Sequence, residues 1–364
     1  MTDVVHVITG LGVGGAETML AQVAAGLQAR GMAQHVVSLT AHDALAAGLR
    51  TRGVDVTVLK AGSVGALVSA FGALARTVKE LKPKVLQGWM YHGNVAATLA
   101  HCVCGGRGER KLAWNLRASN MDTARYGRML RLGRMLSGLP KAIVLNSEAG
   151  AAFHRAHGFR DRRFLVIDNG VDTEKFRPDP SLRTTLRAEL GIAADAVVAI
   201  HVARVDPMKD HGTFLAAMAR TPSALGILVG SGTQSLSLPG NVKALGLRND
   251  VARLLPVADV IASTSAFGEG FSNAIAEGMS AGLIPVATDV GDARRIVGDT
   301  GAVVPARDPA AFAQAISDVV AMPAALRAEK GHLARERILS RFALTSAIDS
   351  YFNLYRGMIG ARAP

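Results

Sequence analysis

The residues between positions 260 and 288 predict a strand, a loop, a helix and a second strand in direct succession. Two apolar runs, at positions 260–264 and 284–288, predict short buried strands. The loop at positions 267–273 carries two glycines, and glycine allows a backbone to approach a ligand closely. A helix is predicted from this loop to about Ala281, where Gly282 ends it. This order of elements is typical of an α/β protein.

The predicted helix begins with backbone amides that point into the loop, because either Ser272 or Asn273 can act as its N-cap. Such amides and the helix dipole attract anions and sugar hydroxyls. Glu269 lies in the loop and Glu277 within the helix, so the two carboxylates can meet different parts of one ligand. That ligand is predicted to be part phosphate and part polyol. The residues predicted to contact it here are Glu269, Gly270, Phe271, Ser272, Asn273 and Glu277.

This stretch resembles a known enzyme family. Glu269 and Glu277 are eight positions apart, as in the E-x7-E motif of retaining glycosyltransferases of the GT-B fold, a family 4-like group that includes bacterial mannosyl- and N-acetylglucosaminyltransferases. Further segments follow the family's order: GLGVGGAE, NGVDTEKFRPD, ARVDPMKD, VGSG, LGLRND and, after the motif, ATDVGDARRIVGDTGAVVP. The resemblance covers most of the chain. It implies two Rossmann-like domains facing across a deep cleft, with a C-terminal helix that crosses back to the first domain.

The chain length of 364 residues also suits two domains. We predict an N-terminal acceptor-binding domain at 1–172, a nucleotide-sugar-binding domain at 173–341, and a helix at 342–364 that packs back on the first domain. Short apolar runs alternate with helical stretches in the first domain, which is typical of a parallel sheet. The predicted strands there include positions 4–9, 54–59, 85–87, 112–115 and 143–145.

The formal net charge of +12 favours an acidic partner. Nucleic acid, anionic lipid and sugar-nucleotide phosphates are all eligible, but nucleic acid ranks last because no known nucleic-acid-binding motif is present. No apolar run is long enough to span a bilayer, and the N-terminus lacks the features of a signal peptide. We therefore expect a cytoplasmic protein with access to the inner face of the membrane. Cys102 and Cys104 predict buried or half-buried thiols rather than zinc ligands or a disulfide.

The glycine-rich segment after the first strand, GLGVGGAE, is a phosphate-type loop leading into a helix at positions 16–29. Its spacing departs from the dinucleotide fingerprint G-x-G-x-x-G, and no acidic residue closes the second strand. The resemblance implies that Gly14 and Gly15 approach the donor phosphates or sugar at the cleft. A tight structural turn is the alternative.

His92 follows the strand at 85–87, at the carboxyl end where ligands bind in open α/β sheets. It can hydrogen-bond a donor sugar or an acceptor hydroxyl, or it can be a helix cap or a buried polar group. Members of the family usually carry a histidine in a later loop of this domain, where this chain has AWNLRASNMD and no histidine. The gap can be filled by Arg117 or by His92. The polar residues of that loop are Asn115, Arg117, Ser119 and Asn120.

A predicted helix at positions 125–141 places Arg128, Arg131 and Arg134 at three-residue spacing beside leucines and methionines. Arginines above an apolar face suit an anionic membrane surface. The alternative is an ordinary surface helix whose apolar face belongs to the core.

The second domain is predicted to start with a strand at 196–202, followed by a loop that holds Arg204 and Lys209. Two cations at a strand end can neutralise a diphosphate, and the resemblance assigns them that role. Gly230 and Gly232 end the next strand with room for a nucleotide. The resemblance places Leu247 and Arg248 beside the base.

From this resemblance we expect a retaining transfer of a hexosyl unit from a nucleotide diphosphate sugar (UDP or GDP) to a hydroxyl of a lipid-linked or cell-surface glycan precursor. Glu269 would contact the donor sugar, Glu277 the ribose, and Arg204, Lys209 and the amides after Glu269 the departing diphosphate. No Asp-x-Asp pair is present, so we expect neither a metal ion nor a cofactor besides the donor. The alternatives are a GT-B sugar-nucleotide epimerase, which needs no acceptor, and a non-catalytic sugar-nucleotide-binding scaffold, which the missing histidine favours.

Overall fold

The computed structural model of the protein describes residues 2–12, 14–59, 64–105, 110–117 and 123–360. The chain forms two compact units: the first comprises Met1–Gly170 and Thr345–Pro364, and the second comprises Val171–Leu344. Each unit contains one parallel sheet and several helices. The α/β class predicted from the sequence is therefore confirmed.

The first unit alternates strands with helices along the chain. Its strands are β1 (Val4–Ile8), β2 (Gln34–Ser38), β3 (Asp55–Val58), β4 (Val85–Trp89), β5 (Lys111–Leu116), β6 (Ala142–Leu145) and β7 (Phe164–Val166). Its helices up to this point are α1 (Gly15–Ala29), α2 (Ala46–Arg50), α3 (Val64–Leu81), α4 (Met90–Val103), α5 (Thr123–Leu136) and α6 (Glu148–Ala156).

Within the described residues, these seven strands form one sheet in the order β3-β2-β1-β4-β5-β6-β7. All five residues of β1, β2 and β4 are buried, as expected for a parallel sheet covered on both faces. The strand order reverses between β1 and β4, which pair directly. This is the topological switch point of the sheet, where open α/β folds bind ligands outside the carboxyl ends of the strands.

The second unit repeats the alternation. Its strands are β8 (Val197–Val202), β9 (Ala224–Val229), β10 (Val242–Ala244), β11 (Val260–Ser263), β12 (Ile284–Thr288) and β13 (Ala302–Val304). Its helices are α7 (Pro180–Glu189), α8 (His211–Ala219), α9 (Val251–Leu254), α10 (Asn273–Ser280), α11 (Ala293–Val297), α12 (Pro309–Ala321) and α13 (Ala324–Arg341).

The second sheet runs in the order β10-β9-β8-β11-β12-β13, so its switch point lies between β8 and β11. Along β8, Val198 and Ile200 pack into one apolar cluster, and Ala199 packs into another. Successive side chains of a strand point to opposite faces, so apolar side chains cover both faces of this sheet. β8 and β11 are parallel neighbours in this order, so their carboxyl ends lie side by side.

The last helix, α14 (Leu344–Ile359), completes the core of the first unit. Its Tyr351 and Tyr355 are fully buried. The Tyr351 hydroxyl accepts a hydrogen bond from Asn115 Nδ2 at 2.6 Å, and the Tyr355 hydroxyl donates to Gln87 of β4. The helix predicted at the C-terminal end of the chain is thus part of the first unit.

The prediction of two buried or half-buried thiols was wrong for one of them, because Cys102 is exposed near the end of α4. Cys104 is half-buried, and its thiol donates to the Ala75 carbonyl at 3.4 Å. In the described part of the chain, no single helix is long and apolar enough to cross a membrane, while the bent pair α12 and α13 meets that criterion together. Those residues contain no group of three or more potential metal ligands.

Candidate functional site

The switch point of the second sheet brings together two charged residues that are 60 positions apart in sequence. Lys209, in the loop after β8, forms an ion pair through Nζ with Oε1 of Glu269, in the loop after β11. Ser265 Oγ donates to the same carboxylate oxygen at 2.9 Å. The side chains of Lys209 and Glu269 are only 21% and 11% exposed. The pair therefore lies in a recess with limited access to water.

Backbone contacts hold the two loops together beneath this pair. Thr264 Oγ1 donates to the carbonyl oxygens of Lys209 and Asp210 at 3.1 and 3.0 Å, and the Ala266 amide donates to the Met208 carbonyl at 2.8 Å. Asp210 caps α8 from the left-handed region, with φ of 46°, and its carboxylate accepts from both the amide and the hydroxyl of Thr213. Lys209 is thus fixed by the neighbouring loop on one side and by a capped helix on the other.

The loop after β9 packs tightly against the same region. Gly230 has φ of 151°, and a Cβ at this position would collide with the Ala203 carbonyl and lie 2.8 Å from the Arg204 nitrogen. A Cβ at Gly232 would lie 3.1 Å from the Val205 side chain. Both predicted glycines therefore lie against the loop that carries Arg204, and only glycine permits this approach.

The other predicted cations of the second unit are paired with nearby carboxylates. Arg204 is 66% exposed and contacts Asp206 at 2.9 Å. The Met208 amide and the Arg204 guanidinium together lower the pKa of Asp206. Arg248 contacts Asp250 at 2.7 Å. Leu247, the residue before Arg248, is 72% exposed and so presents an apolar surface to solvent or a ligand.

The loop from 270 to 273 enters α10 with its backbone held close to the loop after β12. The Asp292 amide donates to the Gly270 carbonyl at 3.0 Å, and a Cβ at Gly291 would lie 2.7 Å from that oxygen. Ser272 is the N-cap of α10, although its side chain caps no amide, and Asn273 is the first helical residue. The Phe271 ring is buried against Phe342, so this residue offers a ligand its backbone only.

Glu277 is half-buried on α10. Desolvation raises the pKa of its carboxyl to about 7, against the opposing effect of Lys175. None of the described residues donates a hydrogen bond to this carboxylate. A carboxylate held in this way can accept hydrogen bonds from hydroxyl groups of a ligand.

At the switch point of the first sheet, Gly14 is the N-cap of α1, with extended backbone (φ −157°, ψ 168°), and Gly15 is its first residue. A Cβ at Gly14 would meet the carboxylate of Glu17, which lies in the first turn of the helix. The Glu17 carboxylate thus lies where an anion would approach the helix, and Gly14 leaves room for it.

His92 lies on the first turn of α4, after Met90 in the left-handed region with φ of 60°. Its side chain is exposed, and within the described residues it makes no hydrogen bond. The adjacent Gly93 packs directly on the Val7 carbonyl of β1. His92 is therefore held at the carboxyl edge of the first sheet, at the switch point, with its ring available to a ligand.

Arg117 has a different environment from His92. Its Nε donates to Asn115 at 3.0 Å, Nη1 donates to Asn169, and Nη2 donates to the Tyr351 hydroxyl at 3.0 Å. The guanidinium also lies 5.0 Å from the centre of the Trp89 ring. Arg117 is thus bound into the first unit by four of its neighbours. The predicted loop residues Ser119 and Asn120 lie outside the described residues.

The three arginines predicted to form a basic edge on α5 are all exposed. Leu130 is buried between them, whereas Met135 is 79% exposed. The helix therefore presents an apolar side chain to solvent beside its cations. A groove of about 490 Å³ runs between α5 and the end of α6. Its lining residues include Leu130, Arg131, Arg134, His157 and Gly158.

Sequence reasoning missed the residues that hold the predicted ones in place. Ser265 supports Glu269, and Asp206 and Asp250 neutralise Arg204 and Arg248. Tyr351 supports Arg117 from 234 positions away. The two aspartates follow their arginines by two positions, a spacing visible in the sequence. Ser265 lies four positions before Glu269 in the same loop, a spacing that is also visible in the sequence. No local pattern indicates Tyr351, because its partner Arg117 comes from another element.

Comparison with protein families gives two matches. Residues 13–175 match a family described as Glycosyltransferase Family 4, and residues 196–322 match one described as Glycosyl transferases group 1. Among curated relatives, a D-inositol 3-phosphate glycosyltransferase of Geodermatophilus obscurus is 32% identical over 191 residues, covering 45% of this chain and 42% of that protein. One from Mycobacterium tuberculosis is 30% identical over 238 residues, covering 60% of this chain and 49% of that protein. The matches thus span less than half the length of these relatives.

Several solved structures resemble the whole chain. HepE of Anabaena in complex with UDP has a TM-score of 0.86 at 22% identity, with 98% of this chain and 100% of that chain covered. Sucrose-phosphate synthase of Thermosynechococcus elongatus has a TM-score of 0.83 at 19% identity, with 99% and 100% covered. At these identities the likeness concerns the fold.

Proposed function

The chain belongs to the glycosyltransferases of the GT-B fold and family 4-like type, and from that premise we propose that it transfers a hexosyl unit from a nucleotide diphosphate sugar to an acceptor hydroxyl, with retention of configuration. The observation that carries the proposal is the Lys209–Glu269 ion pair at the switch point of the second sheet. It places a cation and a carboxylate side by side where open α/β sheets bind ligands. A sugar diphosphate needs both, one for its phosphates and one for its hydroxyls.

The leaving nucleotide diphosphate gains negative charge in the transition state, so catalysis depends on cations placed beforehand. Lys209 has three N–H donors, and it is held in a recess by Glu269, whose carboxylate also accepts a hydrogen bond from Ser265. Arg204 is exposed on the same loop and can swing to a phosphate as a two-pronged donor. These two cations supply the charge that a metal ion supplies in other transferases. We accordingly assign the reaction no metal ion and no cofactor.

The two glutamates contact different parts of the donor. Glu269, fixed by Lys209 and Ser265, accepts hydrogen bonds from the hydroxyls of the transferred sugar. Glu277, half-buried on α10, accepts from the ribose hydroxyls. Gly230 and Gly232 let the loop after β9 lie against the loop that carries Arg204, and Leu247 offers an apolar surface to the nucleotide base.

The acceptor is assigned to the first unit, with His92 as its polar contact. Arg117 is already bound to Asn115, Asn169 and Tyr351, whereas His92 is exposed at the first switch point. The exposed arginines of α5 and the exposed Met135 favour an acceptor carried by an anionic membrane. HepE structures contain UDP and UDP-glucose, which supports a uridine donor here, with GDP sugars as the alternative.

The test is a donor screen that measures release of nucleotide diphosphate, run with and without membrane lipid extract as acceptor. We expect release from one UDP or GDP hexose that depends on the extract, with a new glycolipid whose anomeric configuration matches that of the donor. Turnover of the nucleotide sugar without any acceptor would support an epimerase instead. Tight nucleotide binding with no turnover under either condition would support a scaffold.

A further inference from the structure

Two buried histidines lie directly beneath the loop that carries Arg204 and Lys209. His201 belongs to β8, and His211 is the first residue of α8. They are 2% and 5% exposed, and their rings meet edge to face with centroids 4.8 Å apart. Neither residue has a place in the proposed transfer, so their positions need another explanation.

Each ring is bonded to the end of a strand at the switch point. His201 Nδ1 lies 3.0 Å from the Ala262 carbonyl of β11, and His211 Nε2 lies 3.3 Å from the Ala203 carbonyl just after β8. A carbonyl oxygen only accepts, so each of these nitrogens must carry the proton. The opposite nitrogens, His201 Nε2 and His211 Nδ1, are buried without a hydrogen-bond partner among the described residues.

Two other buried histidines, His154 and His6, do not have this arrangement, whereas His35 of β2 also has one bare nitrogen, Nδ1. His154 of α6 has both nitrogens bonded, one to the Gly150 carbonyl at 2.7 Å and one to the Tyr91 hydroxyl at 2.6 Å. His6 is likewise bonded at both nitrogens, by Trp89 and Gln34. A histidine with a buried bare nitrogen becomes costly as soon as that nitrogen takes a proton, because the new N–H has no acceptor.

Burial is the main effect that opposes protonation of the pair. Burial lowers the pKa of His201 to about 3, with His211 and Lys209 adding to the effect. Burial also lowers the pKa of His211, together with Lys209 and against Asp210 and Asp206. His211 in addition occupies a helix N-terminus, where the macrodipole disfavours a cation. From β11 and α8, the pair is faced by the Ala262 carbonyl and by the uncharged Phe214 ring.

We propose that His201 and His211 are positioning residues, a neutral pair that holds the loop at 203–210 on the strand ends and releases it when His211 is protonated. The proposal rests on the proposed function in so far as this loop grips the diphosphate. Release exposes His211 to water and restores its ordinary pKa of 6.5. Protons therefore favour the open loop below that pH, by up to tenfold per pH unit for one proton.

The loop itself provides the first readout. Hydrogen exchange of the 203–210 amides, corrected for intrinsic rates, is measured from pH 8 to pH 5. The Val205 amide donates to the Ser231 carbonyl at 2.8 Å and the Lys209 amide to the Asp206 carbonyl at 2.9 Å, so both report opening. In the wild type, we expect a constant opening ratio above pH 6.5 that rises as the pH falls further. A flat wild-type profile would overturn the proposal.

Three variants separate positioning from general stability. His211→Gln keeps a donor for the Ala203 carbonyl and cannot titrate, so its loop profile should be flat. His211→Phe keeps the ring but has no donor, so its loop should be more open at every pH. His154→Phe is the matched control, since it should lower stability and leave the 203–210 profile as in the wild type. A His211→Gln profile as steep as that of the wild type would also contradict the proposal.

Ligand binding at constant pH 7.5 gives the second readout, with UDP-glucose and GDP-mannose as probes. His211→Phe should bind about tenfold more weakly, and His211→Gln should bind within about threefold of the wild type. Equal binding by His211→Phe and the wild type would show that the histidine pair does not position the loop that binds the diphosphate. A wild-type loop that opens in acid, in a protein that binds neither probe, would contradict the proposed function instead.

Discussion

The carboxyl edges of the two sheets hold different kinds of side chain. In the second sheet, the loops after β8 and β11 meet in the Lys209–Glu269 ion pair. In the first sheet, Asn115 and Arg117 are bound to the Tyr351 hydroxyl, next to the buried Trp89. The first arrangement can exchange its internal partner for a phosphate, whereas the second is a closed network that stabilises the unit. A shared fold thus leaves function to a few side chains.

The largest effect is expected from removing the cation of the second switch point. Lys209→Ala should lower turnover about a hundredfold, because a donor that stabilises the departing diphosphate is lost. The fold should survive, since the side chain is partly exposed. Steady-state kinetics with the donor found in the screen measures this. Arg294→Ala, which breaks an exposed pair with Asp289 at the same sheet edge, is the control and should leave turnover unchanged. Wild-type turnover in Lys209→Ala would remove this lysine from the mechanism.

Membrane contact should belong to the first unit only. Replacing Arg128, Arg131 and Arg134 by glutamine should weaken binding to anionic vesicles roughly a hundredfold at low salt, at about 1 kcal/mol per arginine. Cosedimentation measures the effect, which salt should suppress. The matched control replaces three exposed arginines of the second unit, Arg253, Arg307 and Arg341, and should bind as the wild type does. If wild-type protein fails to sediment at low salt, α5 is an ordinary surface helix.

Substitution of the two glutamates of the second unit should have different effects on nucleotide binding. Glu277→Ala should weaken binding of the free nucleotide diphosphate by about 1 to 3 kcal/mol, the range for a hydrogen bond to a charged group. Glu269→Ala should leave that binding nearly intact and impair transfer. Calorimetry with UDP and with GDP measures both. Equal loss of nucleotide affinity in the two variants would contradict the division of roles.

The raised pKa of Glu277 predicts a pH effect on donor binding near neutrality. Burial raises the pKa of the Glu277 carboxyl from its ordinary value of 4.5 to about 7. The ionised form accepts hydrogen bonds from both ribose hydroxyls, so affinity for the nucleotide sugar should rise as the pH increases through 7. The stability of the ligand-free protein should instead fall as the pH rises from about 4.5 to about 7, because the buried carboxyl keeps a proton that the unfolded chain has already lost. In Glu277→Gln both slopes should disappear, and their persistence would assign them to another group.

The smallest effect concerns the closed network of the first unit. Tyr351→Phe removes the hydroxyl that accepts from Asn115 and Arg117, and should lower the free energy of unfolding by about 1 to 3 kcal/mol. Urea denaturation of the variant checks this. Nucleotide affinity should not change. Loss of nucleotide affinity at unchanged stability would mean that the network serves the ligand after all.

The sequence predicts the elements of this fold well where local pattern determines them. The strand at 284–288 has the predicted bounds, and α10 begins within one residue of the predicted cap. Apolar runs between glycines and prolines carry that information. Contacts between side chains of distant elements are not predicted in this way. That Lys209 meets Glu269, or that Arg117 is bound to Tyr351, depends on strand order and helix docking, which no local window contains.

Placement of the candidate residues shows the same limit. The sequence singled out the loops of Glu269, Gly230 and Gly232, which the structure places against the loop of Arg204 and Lys209, but it left Arg117 and His92 as equal alternatives. Burial and bonding distinguish them, because Arg117 is bound to several neighbours while His92 is exposed. The sequence did not predict that His201 and His211 pack together beneath the loop, because β8 contributes one of them and α8 the other.

The position of α14 has a consequence for synthesis on the ribosome. The first unit has most of its chain by residue 170, but Tyr351 and Tyr355 of its core are translated only after the whole second unit. Until then, Asn115 and Gln87 lack these hydroxyl partners. A nascent chain therefore carries an incomplete first unit while the second unit can already fold, and α14, which is made after the second unit, completes the first.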